Sequence, residues 1–103
     1  MRSGRLEKRT RLAIPVQISS LQDPPATERT TTENVCSLGV RVLVRRPREL
    51  DGRLVVKSLS GDLQALARVV YCQRLSDGRF GVGLQFQQRA GNWLENSQGG
   101  GSD

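Results

Sequence analysis

The stretch Arg79-Phe80-Gly81-Val82-Gly83-Leu84-Gln85-Phe86 constrains this chain more than any other. Phe80, Val82, Leu84 and Phe86 fall on one side of an extended chain; Gly81, Gly83 and Gln85 fall on the other. Such a period of two, rich in aromatic and branched residues, specifies a strand buried on one face. Ser76-Asp77-Gly78 in front of it is a turn signal, so the segment closes a hairpin onto the strand before it. Glycines at alternate outer positions let a small sheet curve sharply, or let another group approach its outer face.

The remainder of the chain reads the same way. Leu63, Ala65, Ala67, Val69 and Tyr71 alternate against Gln64, Arg68 and Cys72, which predicts a strand over 63–73 with Tyr71 in the core. Val40, Val42 and Val44 share a face of a strand opened by Gly39, with Arg41 and Leu43 opposite; Pro47 and Asp51-Gly52 end it and turn the chain. Residues 54–59 form the next strand, and Ser60-Gly61-Asp62 a tight turn. Thr27 to Val35 is held extended by β-branching at Thr30, Thr31 and Thr32. Leu12 to Ile18 contains Pro15, which cannot donate to a ladder and so suits an edge strand or a bulge. Gln22-Asp23-Pro24-Pro25 is a loop. Six short strands in 103 residues predict a single all-β domain, a compact barrel or a sandwich. Its expected span is 12–96, after a basic arm over 1–11 and before a disordered glycine-rich tail over 97–103. Arg89 to Asn96, carrying Trp93 and Leu94, is expected to add a short C-terminal helix.

Composition narrows the chemistry. The chain has no histidine, which removes the commonest general base and the commonest metal ligand. Its two cysteines, Cys36 and Cys72, lack metal-ligand spacing, and in a cytoplasmic chain two buried thiols are expected. Asp23, Asp51, Asp62 and Asp77 all sit at turn signals, where aspartate is favoured for local hydrogen bonding. Ser37, Ser19 and Ser20 have no base or nucleophile elbow beside them. An enzyme is therefore not expected. No apolar run approaches the roughly 20 residues that span a bilayer, and no signal core follows the basic start, so the expected location is the cytoplasm.

The formal charge of +6 fits an anionic partner. Arg2, Arg5, Lys8, Arg9 and Arg11 crowd the start, while Arg41, Arg45, Arg46 and Arg48 make a second cluster. Arginine prevails over lysine, and its planar fork suits phosphate and can stack on rings.

Two motifs draw on that charge. Arg5 and Arg9 are four apart, just ahead of the first strand. About 25 residues on, Asn34-Val35-Cys36-Ser37-Leu38-Gly39 has the form Asn-x-Cys-x-x-Gly. Asn34 and Cys36 face the same way in an extended chain, and Gly39 permits positive φ or close backbone approach. Together with Ile14-Pro15-Val16, Ala67-Arg68-Val69-Val70-Tyr71 and the glycine-alternating strand, this order of motifs resembles the PilZ domain family. Its signatures are RxxxR followed by (Asp/Asn)-x-Ser-x-x-Gly, with Cys36 standing here at the serine position. The resemblance implies a six-stranded antiparallel β-barrel that binds the bacterial second messenger cyclic di-GMP, with no further cofactor. It implies that Arg5 and Arg9 grip phosphates and guanine faces, that Asn34, Cys36 and Gly39 line the opposite side, and that a protein partner reads the bound state. Pairing Arg11 with Glu7 instead would break the arginine motif.

Two other readings follow from the same residues. One is a PilZ-type interaction module that has lost its nucleotide, motivated by Cys36. The other is a small basic barrel for nucleic acid. That partner is the less favoured, because Tyr71, Phe80 and Phe86 read as core and leave few aromatics for stacking. Oligomeric state is left open by the sequence.

Overall fold

The computed structural model describes residues 10–21 and 26–90, so Arg5, Arg9, the 22–25 loop, Trp93, Leu94 and the glycine-rich tail lie outside it. Its strands are β1 (Thr10–Arg11), β2 (Pro15–Ser20), β3 (Thr27–Cys36), β4 (Gly39–Val44), β5 (Arg53–Ser58), β6 (Gln64–Arg74) and β7 (Phe80–Ala90). Every pairing is antiparallel, in the order β1-β3-β2-β5-β6-β7-β4, and a further β3–β4 pairing closes the ring. The fold is thus a closed six-stranded antiparallel β-barrel of β2 to β7. The two-residue β1 is an N-terminal extension of β2 on the flank of β3. No helix occurs among the described residues. β7 runs to Ala90, through the first two residues of the segment expected to be helical, because Gln64 and Ala65 pair with Ala90 and Arg89.

Inward residues come from every long strand and are mostly valine, with Val16, Ile18, Val35, Val42, Val56 and Val82 fully buried. Branched side chains pack well on a pleated surface, and the small alanines Ala65 and Ala67 fit where a six-stranded barrel leaves little interior room. Leu12, Ile14, Cys72, Phe80 and Phe86 pack partly buried around this core.

Local chemistry explains the turns. Gly61 and Gly78 take φ of 88° and 90°, the left-handed region that glycine enters without penalty. Asp51, at φ 65°, does so as a tolerated non-glycine, and its N–H donates to Val69 O at 2.8 Å. In the β5–β6 turn, the buried Ser58 Oγ accepts the Leu63 N–H at 3.0 Å and bonds Asp62 Oδ1 at 3.0 Å. Between β1 and β2 the ladder breaks at Leu12-Ala13-Ile14, just ahead of Pro15, but β2 pairs on both sides, with β3 and β5, so Pro15 opens an inner strand and not the expected edge. Thr32, only 2 % exposed, fills the gap: its Oγ1 accepts the Ile14 N–H at 2.9 Å and donates to Leu12 O.

Three residues interrupt strict alternation, Glu33 in β3, Val70 in β6 and Gln87 in β7, each facing a partner strand that has one residue fewer. Such bulges re-aim the side chains that follow. After Val70, Cys72 turns toward the core and Tyr71 turns out, the reverse of the alternation expected from sequence. After Glu33, Asn34 and Cys36 stand outside while Val35 is fully buried.

Candidate functional site

Cross-strand register places the site. One row on the barrel's outer wall runs Arg11–Asn34–Arg41–Gly83–Tyr71 across β1, β3, β4, β7 and β6. The next row runs Cys36–Gly39–Gln85–Arg68 across β3, β4, β7 and β6. Between and around these rows lies an open cleft of about 400 Å³, lined by Asn34, Cys36, Gly39, Arg41, Arg68, Tyr71, Gln85 and, at its rim, Leu38 and Val70. Three residues singled out in the sequence, Asn34, Cys36 and Gly39, therefore share one cleft. Arg11 stands directly across from Asn34, so the arginine-rich segment that precedes Thr10 in the chain joins the barrel beside Asn34 and Val35.

Each of these positions has a local cause. Cys36 and Gly39 pair at the end of a hairpin whose two-residue turn is Ser37-Leu38. Gly39 needs no positive φ; it needs space. A Cβ there would lie 2.0 Å from Leu84 O and 3.1 Å from Gln85 Cα, both backbone atoms of β7. Close approach, the second of the two reasons for a glycine at this point, is the one that operates. Cys36 and Cys72 are both free and half-buried rather than fully buried.

The glycines of β7 are covered by side chains. Over Gly81 lies the Arg41 guanidinium, and over Gly83 the Tyr71 ring, whose Cε2 would be 2.2 Å from any Cβ. Arg41 Nη1 donates to Tyr71 Oη at 3.1 Å, its Nε donates to Glu33 Oε1 at 2.6 Å, and its Cζ lies 5.8 Å from the Tyr71 ring centroid. The Glu33 and Tyr71 hydrogen bonds hold the Arg41 pKa above its ordinary value, so it is a permanent cation in the cleft. Arg68 donates to Asp51 Oδ1 at 2.6 Å and to Gln85 Oε1 at 2.8 Å. The sequence pattern points to neither Arg41 nor Arg68 as a site residue, and strict alternation puts Tyr71 in the core. A bulge placed by register leaves no signature in composition, so alternation alone does not reveal the outward Tyr71.

A second hollow, about 520 Å³, opens at the end of the barrel where β3 begins and β4 ends, and Arg45, Arg46, Arg48 and Arg53 line it with Glu28 and Glu49. Arg48 and Glu28 form a largely buried pair at 3.2 Å, and among the described residues Arg48 Nε has no hydrogen-bond partner. The hollow contains none of the motif residues.

No known family's sequence profile matches the chain, and no curated protein matches its sequence. Its fold is similar to that of Bacillus subtilis inhibitor of motility (MotI/DgrA), with a TM-score of 0.64 at 18% identity. The likeness covers 95% of this chain and 48% of that one, so the chain spans about half the length of its structural neighbour. At that identity the comparison establishes shared architecture, a barrel of the same build. Among the described residues no helix is long and apolar enough to cross a membrane.

Proposed function

We propose that this barrel is a cyclic di-GMP-binding receptor or adaptor module, in which Arg5 and Arg9 fold over the dinucleotide against Asn34, Cys36 and Gly39. One observation carries the reading: three motif residues share a cleft, and the strand that continues the arginine segment pairs alongside Asn34. A doubly charged ligand suits the cationic cleft and arm, since complementary charge speeds encounter and fixes orientation. Asn34 offers donor and acceptor to a guanine edge, and Gly39 keeps the floor low. Cys36 is a weaker hydrogen-bonding group than serine, which costs about 1 kcal/mol, or roughly fivefold in affinity. A partner protein then reads the arm's closure.

Isothermal titration with cyclic di-GMP tests this. Wild-type protein should bind, Cys36→Ser should bind roughly fivefold more tightly, and a double Arg5→Ala, Arg9→Ala variant should lose binding. Absence of heat from the wild type at high micromolar ligand would overturn the reading. Binding by the Cys36→Ser variant alone would favour the second reading, an interaction module that has lost the nucleotide.

A further inference from the structure

We infer that Tyr71 is the stacking floor for the second base of the dinucleotide, an inference that rests on the proposed function. Tyr71 is the chain's only tyrosine, and it is not among the ligand-binding residues that the sequence motifs imply. The Val70 bulge turns it out of the core, and the ring then lies flat against Gly83, where the missing Cβ makes room for it. One ring face is thus against the strand. Arg41 grips the phenol oxygen at 3.1 Å, with its Cζ 5.8 Å from the centroid, beyond the roughly 3.5–4 Å of a group stacked face to face. The guanidinium therefore sits at the phenol edge and leaves the outer face to the cleft, which Tyr71 lines.

The register supplies the span. Asn34, Arg41, Gly83 and Tyr71 occupy one row on four successive strands, so the backbones of Asn34 and Tyr71 are three strand spacings apart, roughly 14 Å measured along the curved sheet. A molecule with two bases joined through phosphates can lie along this row, one base toward Asn34 and the other on Tyr71. Arg41, a fixed cation, lies between the two ends, where a phosphate would sit. Aromatic floors take bases by stacking and hold an otherwise free ring at little entropic cost, because the plate is already fixed.

Nuclear magnetic resonance of the wild type with cyclic di-GMP gives the direct test, since the sole tyrosine supplies an unambiguous reporter. Stacking should move the Tyr71 ring protons upfield by the ring current of guanine. In parallel titrations Tyr71→Leu should weaken binding roughly five- to a hundredfold, whereas Tyr71→Phe, which keeps the ring, should stay within about threefold. Binding by the wild type with unshifted Tyr71 protons and an unimpaired Leu variant would overturn this inference and leave the proposed function standing. No binding by the wild type would overturn both. The ring shift needs no variant, so a Leu protein that fails to fold leaves the test intact.

Discussion

Replacing Gly39 by alanine separates architecture from ligand binding, and the structure sets its cost. The new Cβ would lie 2.0 Å from Leu84 O, while ordinary contact begins near 3.4 Å, so β4 and β7 must part by about 1.4 Å at this point. The obstacle is backbone on a paired strand, which cannot swing aside as a side chain can. Parting them strains the Gly39–Gln85 pair and the 2.7 Å bond from Phe86 N to Leu38 O. Overpacking costs about 1–3 kcal/mol, and two weakened backbone bonds about 1 kcal/mol each, for a total of roughly 3–5 kcal/mol. In a domain this small that is a large share of the whole stability, and the melting temperature should fall by roughly 10–30 °C. Gly61→Ala is the control: its Cβ meets nothing within 4 Å, but φ of 88° makes it pay about 1 kcal/mol for a left-handed alanine. Thermal denaturation followed by circular dichroism, without ligand, compares the two. A Gly39→Ala protein that melts within 5 °C of wild type, or above Gly61→Ala, would refute the argument from close approach.

Two further outcomes follow from the same structure. Thr32→Val keeps the shape but strands the Ile14 N–H and Leu12 C=O, at about 2–4 kcal/mol, and should lower the urea midpoint while speeding exchange of the Ile14 amide; an unchanged midpoint would show that the hydroxyl contributes nothing. The Asp77 carboxylate is held below the usual aspartate pKa, chiefly by the Arg79 side chain and then by its backbone N–H, so it stabilises the folded state fully above the unfolded aspartate value and loses that effect as pH falls through the depressed one. An Asp77→Asn variant should accordingly show a flatter rise of stability with pH across the acid range, and identical pH profiles for the two proteins would remove Asp77 from the account.

The barrel was largely legible because a single-layer sheet wrapped on its own core must alternate, and alternation is written in the chain. Val40 to Val44 and Phe80 to Phe86 obey it without exception, so both strands appear where the pattern places them. Turn glycines were equally readable, since Gly61 and Gly78 occupy backbone conformations that few other residues enter cheaply. The pattern fails at one-residue slips. Val70 is as apolar as Val69, so nothing in composition says which of the two is the extra residue; the decision is made by how β6 must bend to stay paired with β7.

That failure bears directly on the candidate site. Strict alternation from Thr32 would send both Asn34 and Cys36 into the core, where a solvated amide and thiol would need internal partners. The Glu33 bulge sends them out instead, and the Val70 bulge sends Tyr71 out in the same row three strands away. Closing a six-stranded barrel requires tight coiling, and bulges are the device that supplies it. The outward display of polar and aromatic groups on this wall is therefore a consequence of closure, with the two glycines of β7 making room for the Arg41 guanidinium and the Tyr71 ring. The cleft on this wall is thus set by two bulges, and the extra residues that make them, Glu33 and Val70, determine which side chains it presents.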